Sequence, residues 1–97
     1  MTLKLVISKK PFDVMITGEK LEEFRVPSKW IESRLFDKKG NAREYEFIHF
    51  TNGYGKDRPT FTAKYKGFTK EYNIKREFSN GLKLEGNEFY VIRFNHI

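Results

Sequence analysis

The sequence predicts a single α+β domain, mainly β, built as a small β-barrel or strongly curved sheet capped by short helices. Three observations point there: alternating apolar–polar runs recur along the chain, helical spacing is confined to two brief early segments, and glycine-containing turns punctuate the rest. The 97 residues suit one domain spanning 1–97. A domain of this size buries only somewhat over about 60% of its unfolded surface, so its core must be dense. Ten Phe, five Tyr and one Trp supply that density, at about 150–250 Å² each.

Along the chain, Thr2 to Ser8 alternates through Leu3, Leu5 and Ile7 as a first strand, with Val6 on the other face. Pro11 stands in the first turn of a helix carrying Phe12, Met15 and Ile16 on one side. Gly18 is the residue after that helix, where the chain must take φ > 0 to leave it. Glu22 to Val26 is extended, because Pro27 turns its predecessor away from helix; Glu23 and Arg25 then share one face, and Phe24 and Val26 the other. Ser28 caps a second short helix with Trp30, Ile31, Arg34 and Leu35 at helical spacing, Trp30 being read as a core residue.

Tyr45 to Thr51 is the strongest strand signal and runs into Asn52-Gly53-Tyr54-Gly55. Thr60 to Lys66 alternates cleanly, Gly67 is read as a turn, and Thr69 to Lys75 as a weaker partner strand. After a Ser79-Asn80-Gly81 loop, Leu82 to Leu84 reads as a short strand, Gly86-Asn87 as a turn, and Glu88 to Asn95 as the closing strand. The expectation is therefore six or so short strands, seven when the brief Leu82 to Leu84 segment is counted.

Charge narrows the function classes. Nineteen Lys/Arg against thirteen Asp/Glu give +6, and Lys56 to Arg76 alone holds seven cations against two acids. A concentrated excess suits a polyanionic partner such as nucleic acid. A solvated strand kept lysine-rich against edge pairing would look the same. The chain has no cysteine, and two isolated histidines, His49 and His96, do not make a zinc site. His49, inside the strongest strand, reads as a satisfied face or core residue. No apolar run reaches membrane-span length and the first residues lack a signal-peptide layout, so the expectation is a soluble, cytoplasmic protein with no cofactor or metal.

The chemistry concentrates in Gly18-x-Lys20-x-x-Glu23-x-Arg25. A lysine works as nucleophile or base only when burial or a neighbouring cation lowers its pKa; Arg25 would push that way and Glu23 against it. As binding groups, Arg25 offers a planar fork for phosphate or a guanine edge, Lys20 a point charge and Glu23 an acceptor for an exocyclic amine. Tyr54, between two glycines, and Trp30, near the motif, are the candidate stacking aromatics, Trp30 being favoured as core, with Asn52 at the base of the Tyr54 turn. Lys56, Arg58, Lys64, Lys66 and Lys70 are candidates for the nucleic-acid backbone.

A short helix, this motif, and an aromatic strand running into Asn52-Gly53-Tyr54 together resemble the ASCH family of PUA-like domains, whose G-x-K-x-x-E-x-R signature is met at Gly18, Lys20, Glu23 and Arg25. The ending Glu88 to Phe94 is similar to the family's closing strand, and the length to its short stand-alone members of bacteria and phages. The resemblance implies a PUA-like β-barrel with the motif on a cleft wall, and binding of RNA, a nucleotide or a nucleoside. It also implies an alternative: some small members hydrolyse the acyl amide of N4-acetylcytidine with a lysine at the position of Lys20, and at least one other member has been assigned ribonuclease activity. In that alternative Lys20 and Glu23 are the catalytic pair. The amidohydrolases carry threonine where Glu23 stands, and a second glutamate for which this chain offers no placed counterpart, so the reading favours binding.

Overall fold

A computed structural model describes residues 1–97. The elements run β1 (Thr2–Ile7), α1 (Lys9–Ile16), β2 (Glu22–Arg25), α2 (Lys29–Leu35), β3 (Phe47–Asn52), β4 (Thr60–Glu77) and β5 (Lys83–His96). Five strands make one sheet in the order β1-β3-β4-β5-β2, with β1 and β3 parallel and every other pair antiparallel. The sheet curls into a half-barrel accompanied by two short helices, so the α+β, mainly β expectation holds at that level. Its two edge strands, β1 and β2, meet at one point: an Arg25 terminal amino group donates to the Val6 carbonyl at 2.9 Å.

Local rules account for the helices. Ser8 precedes α1, and Pro11 lies in its first turn, where a missing N–H costs nothing. Gly18 leaves the helix at φ 86°, with its N–H on the Met15 carbonyl at 3.0 Å. At α2 the Ser28 hydroxyl accepts the Ile31 N–H at 3.2 Å.

The strand count is five, because two expected turns lie inside strands. Gly67 sits at φ 92° in the middle of an eighteen-residue β4. The register there steps from Tyr65 opposite Phe94 to Phe68 opposite Ile92, so one extra residue is accommodated as a bulge. A bulge bends and twists a strand, which is how so long a strand curls with the sheet. Gly86-Asn87 is likewise internal to β5. A side chain at Gly86 would stand 2.7 Å from the Phe89 ring, so glycine is there to admit that ring. The one true reversal between β4 and β5 is Phe78 to Leu82, closed by the Phe78 N–H on the Leu82 carbonyl at 2.9 Å.

β5 lies between β4 and β2 and buries both faces. Tyr90, Ile92 and Phe94 join the main core with Leu3, Leu5, Phe12, Met15, Ile31, Leu35, Ile48 and Phe50. Phe89 and Val91 join a smaller cluster with Phe24 and Ile74 on the opposite side. Trp30 belongs to neither. It is 47% exposed, because Ile31 and Leu35 take the core-facing stripe of α2 and leave Trp30 and Arg34 on its flank.

Candidate functional site

The motif residues converge where α1 ends and β2 begins. Lys20 is 1% exposed and Glu23 6%, while the Arg25 side chain keeps a quarter of its surface. Arg25 Nε donates to Glu23 Oε2 at 2.8 Å, and Lys20 Nζ lies 3.6 Å from Glu23 Oε1. The Lys20 ammonium also donates to the Glu22 carbonyl and faces the Phe24 and Phe78 rings, 5.2 and 5.9 Å from their centroids. Glu23 thus holds a cation on each carboxylate oxygen. Burial lowers the Lys20 pKa, opposed by Glu23, with Arg25 adding a smaller push in the same direction as burial.

What covers Lys20 comes from far along the chain. The tip of the β4–β5 hairpin lies along α1 from its first turn to the residues just past it: the Ser79 N–H donates to Glu19 Oε2 at 2.8 Å, the Ser79 hydroxyl donates to Glu19 Oε1, and Asn80 Nδ2 donates to the Lys10 carbonyl at 3.0 Å. Those bonds from Ser79 depress the Glu19 pKa.

Arg25 leads from this buried pair to the surface. Its acceptor, the Val6 carbonyl, neighbours the Ile7 carbonyl, which takes the Gly53 N–H at 2.8 Å. The structure therefore brings Arg25 and the Asn52-Gly53-Tyr54 turn to the same end of β1. Asn52 is buried; its N–H reaches the Pro59 carbonyl and its carbonyl accepts Arg58 Nε at 2.7 Å, closing the loop. Tyr54 projects from that loop 88% exposed.

No family model, curated protein or solved structure matches this chain. The geometry of the site itself carries its interpretation.

The cations expected on the nucleic-acid backbone divide three ways. Lys56, Lys64 and Lys66 are exposed with no carboxylate within 4 Å. Arg58 is engaged in holding its loop, and Lys70 is paired to Glu88 at 2.6 Å, a bond that raises its pKa. On the outer face of the sheet Lys4, His49 and Thr62 form one cross-strand row, and Thr2, Phe47 and Lys64 the next. Neither row contains a carboxylate. His49 Nδ1 is 2.8 Å from the Thr62 hydroxyl, the satisfied face histidine that the sequence suggested. His96 ties the last strand to α1: its Nε2 lies 2.6 Å from the Met15 carbonyl, which can only accept, so that nitrogen carries the proton. No helix is long and apolar enough to cross a membrane, and no His/Cys/Asp/Glu group is arranged to hold a metal ion.

Sequence reading missed the carbonyl acceptors at Glu22 and Val6 and the Phe78-Ser79 cover. Glu19, inside the motif, was the only local hint of the cover, and its partner lies sixty residues away.

Proposed function

We propose that this protein binds single-stranded RNA or a nucleotide at the end of β1 that carries Arg25 and the Asn52–Tyr54 turn, in the manner the ASCH and PUA-like resemblance implies. The observation that carries this reading is the Lys20–Glu23–Arg25 network. Burying ions is costly, and apolar side chains of the same volume hold a fold as well or better, so such a network is poor scaffolding by itself. It fixes the guanidinium of Arg25 at the surface, at the same end of β1 as the turn that carries Tyr54, an exposed aromatic suited to stacking a base. The unpaired Lys64 and Lys4 on the adjoining face would follow the phosphates. In equilibrium titrations with a short single-stranded RNA, Arg25→Gln and Tyr54→Ala are each expected to weaken binding about tenfold, the size of one stacked base or charge-assisted hydrogen bond. Unchanged affinity in both variants would sink the reading.

One observation favours a hydrolase as the second reading. Lys20 is buried with its pKa lowered, which is what a nucleophilic or basic lysine needs. Substrate would reach it only if the Phe78–Leu82 tip moved aside. Deacetylation of N4-acetylcytidine, or cleavage of RNA by metal-free protein, abolished in Lys20→Ala, would support this reading. Turnover that is absent, or that persists in the variant, removes it.

A further inference from the structure

At the opposite end of β1 from Arg25, a groove of about 420 Å³ runs between α2 and the start of that strand. Its volume falls in the range of small-ligand sites. Trp30, Arg34, Arg43, Lys4 and Tyr45 line it, and no carboxylate does. Trp30 is the only tryptophan in the chain. Arg34, four residues on along the helix, places its guanidinium carbon 5.1 Å from the Trp30 ring centroid. Arg43 is fixed by donating Nε to the Ser33 and Phe36 carbonyls at 3.1 and 3.0 Å, and neither of its terminal amino groups has a partner within the protein. The Tyr45 hydroxyl donates to the Arg34 carbonyl at 2.5 Å, holding the groove wall in place. None of Lys4, Arg34 and Arg43 has a carboxylate within 4 Å. Of the acids near Arg43, Glu32 accepts the Tyr90 hydroxyl and Asp37 accepts the Lys39 and Asn41 N–H groups of its own loop, while Glu44 lines the neighbouring concavity and not this groove.

We infer that this groove is a second binding site, for the base and 5′-phosphate of a nucleotide. The half-exposed indole supplies a stacking surface, which every base can use. The free fork of Arg43, with Arg34 and Lys4, supplies charge for the phosphate. Four exposed or half-exposed groups of these two kinds around one small concavity match a ligand that is planar at one end and anionic at the other. A plain anion would leave the indole unused, and an apolar ligand would leave three cations unanswered. The nucleotide has two sources, a free mononucleotide or one unit of a single-stranded RNA. Lys4, on the outer face of β1, is the one cation the two sites share; Trp30, Arg34, Arg43 and Tyr45 have no part in the Arg25 end, so variants of these residues and of Tyr54 test the two separately.

The single tryptophan reports on the site directly. The experiment is a titration of native protein followed by Trp30 fluorescence, with uridine 5′-monophosphate in one arm and an oligouridine of about eight units in the other. Inorganic phosphate serves as the control. Saturable quenching by either nucleotide arm, and not by phosphate, is expected. Saturation in both arms or in the mononucleotide arm alone assigns a free nucleotide as sufficient; saturation in the RNA arm alone assigns RNA. Arg34→Gln, which alters a side chain at the surface, is expected to raise the apparent Kd about tenfold, and Tyr54→Ala to leave the quenching curve unchanged. Linear, non-saturating quenching in both arms, or saturable quenching indifferent to Arg34→Gln, overturns the inference. Quenching lost in Tyr54→Ala would also overturn it, by making the groove part of the Arg25 site.

Discussion

The Lys20–Arg25 segment and the outer face of β4 are both rich in cations, and they treat them in opposite ways. Inside, two cations share one carboxylate, shielded from water except at Arg25. Outside, Lys64 and Lys66 stand in solvent with no carboxylate near them. The two kinds of charge therefore act on different things. A buried ion works on its neighbours and on stability, since breaking its pairing strands a charge in low dielectric. A solvated one contributes little to the fold and instead draws a partner through a field that salt screens.

The greatest change should come from inside. Glu23→Ala removes the shared carboxylate and is expected to destabilise the fold by about 3–5 kcal/mol in urea titrations. Lys20→Met keeps the Glu23–Arg25 pair and most of the buried volume, so its cost should be far smaller. Equal losses in the two variants would contradict the view of Glu23 as the hub.

Next comes Tyr65, whose hydroxyl is buried with no hydrogen-bond partner. Tyr65→Phe removes that unmet group and is expected to gain about 1 kcal/mol near neutral pH. Burial pushes the Tyr65 pKa up to about 12 from an ordinary 10. The folded state therefore holds the proton more tightly, and the native protein should lose stability as pH rises from 10 through about 12. The phenylalanine variant should lack that loss, so parallel alkaline unfolding curves would count against the assignment.

A subtler effect is expected at the hairpin tip. Glu19 has a depressed pKa because Ser79 donates to it, so the clasp should weaken as pH falls below the ordinary 4.5 and through the lowered value. Protection of the Ser79 amide, taken relative to its intrinsic exchange rate at each pH, should fall over that range and be low throughout in Glu19→Gln. High protection in that variant would show that other interactions hold the tip.

Much of this was legible locally. Gly18 at φ 86° and the Ser28 cap follow from the residues themselves, and so does the Glu23–Arg25 pairing at i, i+2 on one strand. What escaped a local reading depended on distant partners. Gly67 and Gly86 carry the same signature as turn glycines; only the pairing of Tyr65 and Phe68 with Phe94 and Ile92, and the Phe89 ring over Gly86, make them internal. Trp30 shares helical spacing with Ile31 and Leu35, but a seven-residue helix buries one stripe and those two occupy it. The burial of Lys20 depends on Phe78 and Ser79, nearly sixty residues on, and no pattern near the motif announces them.

The salt dependence of single-stranded RNA affinity puts the proposed division between inner and outer charge to its sharpest test. Native protein should bind with log K falling linearly in log salt concentration. In Lys64→Gln/Lys66→Gln the slope should be shallower by about 1.4, at about 0.7 for each phosphate no longer neutralised. Stability of that variant should stay within about 0.5 kcal/mol of native. No binding by the native protein, or a slope unchanged when both lysines are removed, would contradict it.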